Sequence, residues 1–297
     1  LGLVVLEFPT NYANSADDYI EKGLNHRDEW RGQSLISASF APHAPYTVSD
    51  DTFEKIVTYA EQLSLGIHTH LHESSGEVSQ SLEQYGLRPI RRLSQLGVLG
   101  PNLTAAHCVQ MLQEDIELLQ AHGCHVAHCV SANLKLASGV APVKQMLDAG
   151  LNVGLGTDGA ASNNRQDMFV EMRTAALLAK GLTGDAGSVP AWQALEMATI
   201  NGANALGLES QIGSLEPGKL ADFCAVKMSE IETLPCFDPL SHLVYVAGRE
   251  HVSHVWVNGD LRFERSDLRE GAYANIEPAE LKEIVLKWQP KLNQHKL

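Results

Sequence analysis

Through the first half of the chain, short apolar runs rich in β-branched residues alternate with longer segments whose apolar positions recur every three to four residues. The runs at 3–7, 35–40, 66–70, 102–106, 125–128 and 152–156 are predicted strands, and many end in a polar or ionisable cluster. Between them lie predicted helices at 51–63, 87–96, 113–122 and 140–149. In the first, Phe53, Ile56, Val57, Ala60 and Leu63 fall on one face behind the caps Ser49 and Asp50. Strands separated by helices in this way form right-handed crossover units of a parallel sheet. Chemistry placed just after strand ends is what a (β/α) barrel requires, because its active site is built from the loops at the carboxyl ends of its strands.

The pattern then changes. Two helical stretches follow, at 168–180 and 191–206. From Ile212 the segments GSLEPGKLADFCAV and HVSHVWVNGDLRF read as strands joined by glycine turns, with Asn258-Gly259 as a hairpin signal. A helix at 278–288 closes the pattern. The expected organisation is a hydrolase barrel over residues 1–211 and a β-domain segment with a terminal helix over 212–297.

Composition narrows the function. With 297 residues, 44% of them apolar, the chain can bury a large core. A formal charge of −14 with no local basic cluster argues against nucleic-acid partners. No apolar stretch approaches the roughly 18 residues of a membrane span, and the opening LGLVVLEFPT lacks the basic flank and cleavage site of a signal peptide. Cys108, Cys124, Cys129, Cys224 and Cys236 are odd in number and scattered, which fits reduced thiols rather than a disulfide framework. These features predict a cytoplasmic protein with neither membrane nor nucleic-acid partners. Leu1 stands inside a predicted strand with no initiator Met, so a fragment is expected.

The densest chemical signal is Ile67-His-Thr-His-Leu-His-Glu73, where a two-residue period would put His68, His70 and His72 on one face. A solvated edge strand is the plain alternative, against which stand the apolar neighbours Leu65 and Ile67. On the functional reading one of these histidines binds a divalent metal and Glu73, just past the strand end, is the general acid/base beside it. His107 ends the run Thr104-Ala-Ala-His, and Asp158 ends Val153-Gly-Leu-Gly-Thr-Asp. Alone, each has an ordinary reading, a hydrogen-bonded structural His and a helix N-cap. Together, His70, His107 and Asp158 terminate separate strands facing one mouth. The glycines before Asp158 further require the backbone to approach something closely.

The segments FAPHAPY (40–46), HLHES (70–74), AAHCV (105–109), NLKLASG (133–139), LGTDGAASNN (155–164) and GSLEPGKLADF (213–223) resemble the amidohydrolase superfamily, within it the 5'-methylthioadenosine/S-adenosylhomocysteine deaminases, close to triazine-type chlorohydrolases. The resemblance implies a (β/α)8 TIM-type barrel followed by part of a small β-sandwich domain. It makes His70 and Asp158 ligands of one divalent metal, most simply zinc, with iron or manganese also suited to such ligands. It makes Glu73 the acid that protonates the ring nitrogen and Asp158 the handler of the attacking water's proton. His107 would polarise the water or the leaving group, and His43 would contact the purine nucleoside. The implied reaction is hydrolytic deamination of an adenine nucleoside by a homodimer or higher homo-oligomer.

The family's pattern also includes an H-x-H pair on its opening strand. His68-x-His70 is not that pair, since only 88 residues separate His70 from Asp158 while a whole barrel takes about 250. Two barrel strands and half the metal ligands are therefore expected to be missing, and the chain is expected to be inactive alone. No Arg precedes Arg27, so no early guanidinium is available to clamp a substrate carboxylate, which favours methylthioadenosine over S-adenosylhomocysteine. In HCVSANLKL, Val130 and Ala132 stand where the family has Pro and Ser, which weakens the case for His128 as a site residue. Three rival functions share these residues: guanine deamination, hydrolysis of a triazine's chloride or amine, and a non-catalytic barrel remnant.

Overall fold

Six apolar runs form six parallel strands, β1 (Gly2–Val5), β2 (Ser39–Pro42), β3 (Gly66–Leu71), β4 (Leu103–His107), β5 (His125–His128) and β6 (Asn152–Leu155), hydrogen-bonded in chain order. The computed structural model describes residues 1–229, 231–267, 270–273 and 278–293. It divides into two units, Leu1–Glu209 and Ser210–Leu297. Among the described residues the sheet does not close on itself, and β1 and β6 are its edges.

Parallel neighbours need a crossover of a dozen or more residues, and helices supply it: α1 (Ala16–Glu29), α2 (Asp50–Leu63), α3 (Ser75–Tyr85), α4 (Pro89–Gln95), α5 (Gln113–Ala121), α6 (Val130–Lys135) and α7 (Val143–Asp148). The longer ones start where a short polar side chain satisfies a free amide. Ser15 accepts from Asp18 N, Ser49 from Thr52 N and Ser74 from Glu77 N. Phe53, Ile56 and Ala60 of α2 are buried as the helical period requires. Leu3, Val5, Phe40, Ile67, Leu71, Leu103, Ala105, Val126 and Val153 are buried along the strands, while the alternate positions of β1 to β5 include the cavity-lining Val4, Ala41, His68, His70, Ala106 and Ala127.

Strand β2 lies later than the run at 35–40 suggests. Its register pairs Ser39 with Gly2 on one side and Gly66 on the other, and Leu35 and Ile36 remain exposed. After β6 come α8 (Met168–Thr183), α9 (Ala191–Ala198) and α10 (Ile200–Ala205). The helix expected over 191–206 is broken at Thr199, with φ −132° and ψ −94°. The break frees α10 to bond the sheet: Thr104 Oγ1 donates to Ala205 O at 3.0 Å, Asn152 Nδ2 to Asn201 O at 2.9 Å and Asn201 Nδ2 to Val153 O at 3.0 Å.

The second unit contains β7 (Phe223–Val226), α11 (Pro239–Tyr245), β8 (Val252–Val257), β9 (Asp260–Asp267), β10 (Glu270–Tyr273) and α12 (Pro278–Asn293). Its strands form one antiparallel sheet in the order β10-β9-β8-β7. Asn258 and Gly259, with φ of 53° and 81°, make the predicted tight turn between β8 and β9. No helix among the described residues is long and apolar enough to cross a membrane.

Candidate active site

A cavity of about 410 Å³ is lined from all six strands or the residues that follow them: Val4, Ala41 to His43, His68 to His70, Ala106 and His107, Ala127 and Cys129, and Gly156 to Gly159. It brings together four of the five residues singled out from sequence, His43, His70, His107 and Asp158. Glu73 stands beside them, its Oε2 3.9 Å from His107 Nε2. The rings of His70 and His107 stack with centroids 5.2 Å apart, and His43 lies 4.8 Å from His70.

Two of the imidazoles are oriented by an oxygen behind the ring. His70 Nδ1 lies 2.5 Å from His43 O, which can only accept, so Nδ1 carries a proton and Nε2 is the nitrogen that bears the lone pair in the neutral ring. His107 Nδ1 lies 2.7 Å from Asn133 Oδ1, which orients that ring in the same way. Backbone or amide oxygens behind a histidine are the usual support of a metal-ligating ring. Burial, followed by the neighbouring His70, holds His43 below the ordinary imidazole range against the opposing pull of Glu73. Burial would raise the Asp158 carboxyl. The Ser162 hydroxyl at 2.5 Å and the Gly159 N–H at 2.6 Å, helped by His107 and His70, outweigh it and hold the group low and ionised.

The strand ends are conformationally unusual. His72, His107, Cys108 and Asp158 have φ of 54°, 72°, 47° and 61°, and such non-glycine residues cost about 1 kcal/mol or more each unless their surroundings hold them. By the two-residue period His107 belongs with the buried Leu103 and Ala105. The chain leaves the pleat there, and the ring lines the cavity instead.

At His72 the same kind of turn has the opposite result and corrects the expectation that His68, His70 and His72 share a face. His72 is past the end of β3 and fully buried. Its Nε2 accepts from Ile90 N at 3.1 Å, and its Nδ1 donates to Gln110 O at 3.1 Å. Burial pushes its pKa down to about 4, so it is a neutral structural residue, although Asp115 is 3.8 Å away. His128 also lies outside the cavity. It is buried, its Nδ1 has no hydrogen-bond partner among the described residues, and burial lowers its pKa to about 4.

The glycines before Asp158 do meet close neighbours: a Cβ on Gly154 would fall 3.2 Å from Gly202 of α10, and one on Gly156 would fall 3.1 Å from Cys129 Sγ. The loop after β6 is tied to α6, with Lys135 Nζ donating to Ala161 O and Asn164 Oδ1 at 2.7 Å each. The buried Glu171 accepts from Asn163 Nδ2 at 2.7 Å and Ser131 N at 3.0 Å. Sequence reasoning assigned no role to Asn133, Ser138, Ser162 or Glu77. Asn133 and Ser138 lie inside NLKLASG, Ser162 inside LGTDGAASNN, and the Ser74-x-x-Glu77 spacing is a readable helix-start signal.

The sequence pattern of the amidohydrolase family matches residues 6–262. A 5-methylthioadenosine/S-adenosylhomocysteine deaminase of Teredinibacter turnerae is 46% identical over 288 residues, covering 97% of this chain and 64% of that protein. The crystal structure of a zinc-bound adenosine deaminase from Xanthomonas campestris matches with a TM-score of 0.94 and 42% identity, over 99% of this chain and 66% of that one. A zinc complex of an atrazine chlorohydrolase from Arthrobacter aurescens matches with a TM-score of 0.86 and 25% identity, over 97% and 64%. The chain thus spans a little under two thirds of each of these three proteins.

Proposed function

The chain belongs to the amidohydrolase family, and from that premise we propose that the protein containing it catalyses metal-dependent hydrolytic deamination of adenine nucleosides, 5'-methylthioadenosine foremost. The observation that carries this reading is the meeting of His70, His107 and Asp158 in one cavity, each from a different strand end, with Glu73 beside them. The deaminase names of relatives above 40% identity support the reaction class.

The donor set fits a divalent ion in part. With Nδ1 of His70 engaged by His43 O, Nε2 is the nitrogen it can offer a metal, and Asp158 is an ionised carboxylate. Among the described residues no group of three or more His, Cys, Asp or Glu side chains could hold a metal, so these two are proposed as part of a ligand set. Zinc is the proposed ion, since the comparison structures are zinc-bound. When bound, such an ion makes water a competent nucleophile near neutral pH.

The remaining work falls to the protein's own groups. Asp158 takes up a proton from the attacking water, and Glu73 delivers one to the ring nitrogen beside the amino-bearing carbon. The water oxygen bonds to that carbon, the amino group takes the proton held by Asp158 and leaves as ammonia as the carbon–nitrogen bond breaks, and the hydroxyl proton left on the new oxygen restores Glu73. His107, held by Asn133, donates or accepts at the oxygen or the leaving nitrogen, and His43 contacts the purine. We read the protein further as a cytoplasmic homodimer or higher homo-oligomer, with residues 1–211 as its hydrolase segment. Free, buried Cys108, Cys124 and Cys129 suit a reducing compartment.

The test is ammonia release from 5'-methylthioadenosine by the full-length, metal-loaded protein. Glu73→Gln removes the proton carrier and is expected to lower kcat by roughly 10²- to 10⁴-fold. An intact protein that leaves methylthioadenosine untouched while converting guanine or a chlorotriazine would refute the substrate assignment.

A further inference from the structure

Helix α3 begins with a Ser-x-x-Glu sequence, and in the usual arrangement the glutamate reaches back to the amide of the capping serine. Glu77 reaches further. Its Oε1 accepts from His72 N at 2.8 Å and its Oε2 from Glu73 N at 2.7 Å. Only 5% of Glu77 is exposed, so both carboxylate oxygens are spent on two successive amides away from water.

Those amides belong to the turn that aims Glu73. His72 sits at φ 54°, which a bulky residue holds only under constraint. Its carbonyl accepts from Val109 N at 3.0 Å and Gln110 N at 2.8 Å, and its ring is bonded at both nitrogens. The Glu73 carboxylate is held far more loosely, by Ser138 Oγ at 3.4 Å and a 3.9 Å approach to His107. The direction in which Glu73 projects is therefore set by its backbone rather than by its side-chain contacts.

We propose that Glu77 is a positioning residue for Glu73, its two oxygens clamping the His72 and Glu73 amides so that the Glu73 carboxylate is delivered beside His107. This rests on the reading of Glu73 as the proton carrier. A helix-start role alone would need only Ser74, whose hydroxyl already accepts from Glu77 N at 3.2 Å.

Glu77→Gln in the full-length, metal-loaded protein keeps the shape but turns an NH2 group toward one of the two amides, donor against donor. The expected result is a fall in kcat for 5'-methylthioadenosine of roughly 10- to 100-fold, with KM and bound metal per chain held near the parent values and the variant still folded at the assay temperature. Amide hydrogen exchange at His72 and Glu73 speeds up while the later turns of α3 stay protected. Should Glu77→Gln fail to fold, Glu77→Asp, too short to span both amides, gives the same readouts.

Unchanged kcat overturns the proposal, as does a loss of activity that follows loss of metal or unfolding at the assay temperature. Glu73→Gln, measured in parallel, separates the two levels. If it is fully active, the proton-carrier reading falls and the role given to Glu77 falls with it. If exchange at the two amides is unchanged in Glu77→Gln, the clamp is refuted whatever the substrate.

Discussion

Two glycines that face each other across the sheet and α10 should respond to alanine with opposite signs. A Cβ on Gly154 would lie 3.2 Å from both Cα and N of Gly202, whereas a Cβ on Gly202 would meet nothing within 4 Å among the described residues. Relieving the first contact requires α10 to retreat by a few tenths of an ångström. That movement stretches the bonds from Thr104 to Ala205 O, Asn152 to Asn201 O and Asn201 to Val153 O, each worth about 1 kcal/mol when well made. Overpacking of this kind costs roughly 1–3 kcal/mol. The restricted unfolded chain returns about 0.4–1 kcal/mol. Gly154→Ala should therefore destabilise by about 1–2 kcal/mol. Gly202→Ala, inside α10 with open space around it, should stabilise by about 0.5–1 kcal/mol through helix propensity. Urea unfolding of the full-length protein, followed through the transition that reports the barrel, measures both. Equal shifts of the same sign would refute the assignment of α10 as a rigid neighbour of β6.

Asn133→Ala removes the oxygen 2.7 Å from His107 Nδ1, and steady-state kinetics should show kcat for methylthioadenosine lowered roughly 10- to 100-fold with little change in fold; full activity would mean that His107 needs no orienting partner. Glu77 carries a pH signature, because burial pushes its carboxyl up to about 7 from an ordinary 4.5. A raised carboxyl stabilises the folded state fully below pH 4.5 and loses that contribution as pH rises through about 7, a change of up to about 3 kcal/mol. Stability measured across this window should therefore fall with rising pH in the parent and fall less in Glu77→Gln, which cannot ionise; parallel slopes would refute it.

Much of the first unit was readable because parallel strands buried on one face by helices impose two periods on the sequence. Five of the six predicted strands lie within two residues of those found, and β2 moved because its neighbours' register, not its own apolar content, decides where it pairs. Helices α1, α3 and α6 escaped notice, and Thr199 split one expected helix into two. Among the site residues, His70, His107 and Asp158 were legible as ionisable groups at the ends of apolar runs and His43 through the family resemblance, and the structure places all four around one cavity.

The chain's own order of apolar and polar residues thus determined the α/β architecture, the strand ends and the set of side chains offered there. What it could not determine was where those side chains turn once the backbone leaves the pleat. A two-residue period assigns faces only while φ stays extended, and at His72, His107 and Asp158 it does not. His72 was carried into the interior and His107 into the cavity by left-handed turns. Those turns are held by groups distant in sequence, Gln110 and Ile90 for His72 and Asn133 for His107. Such conformations cost energy locally and persist only because tertiary hydrogen bonds offset it, so the orientation of this site belongs to the folded structure and not to any one segment.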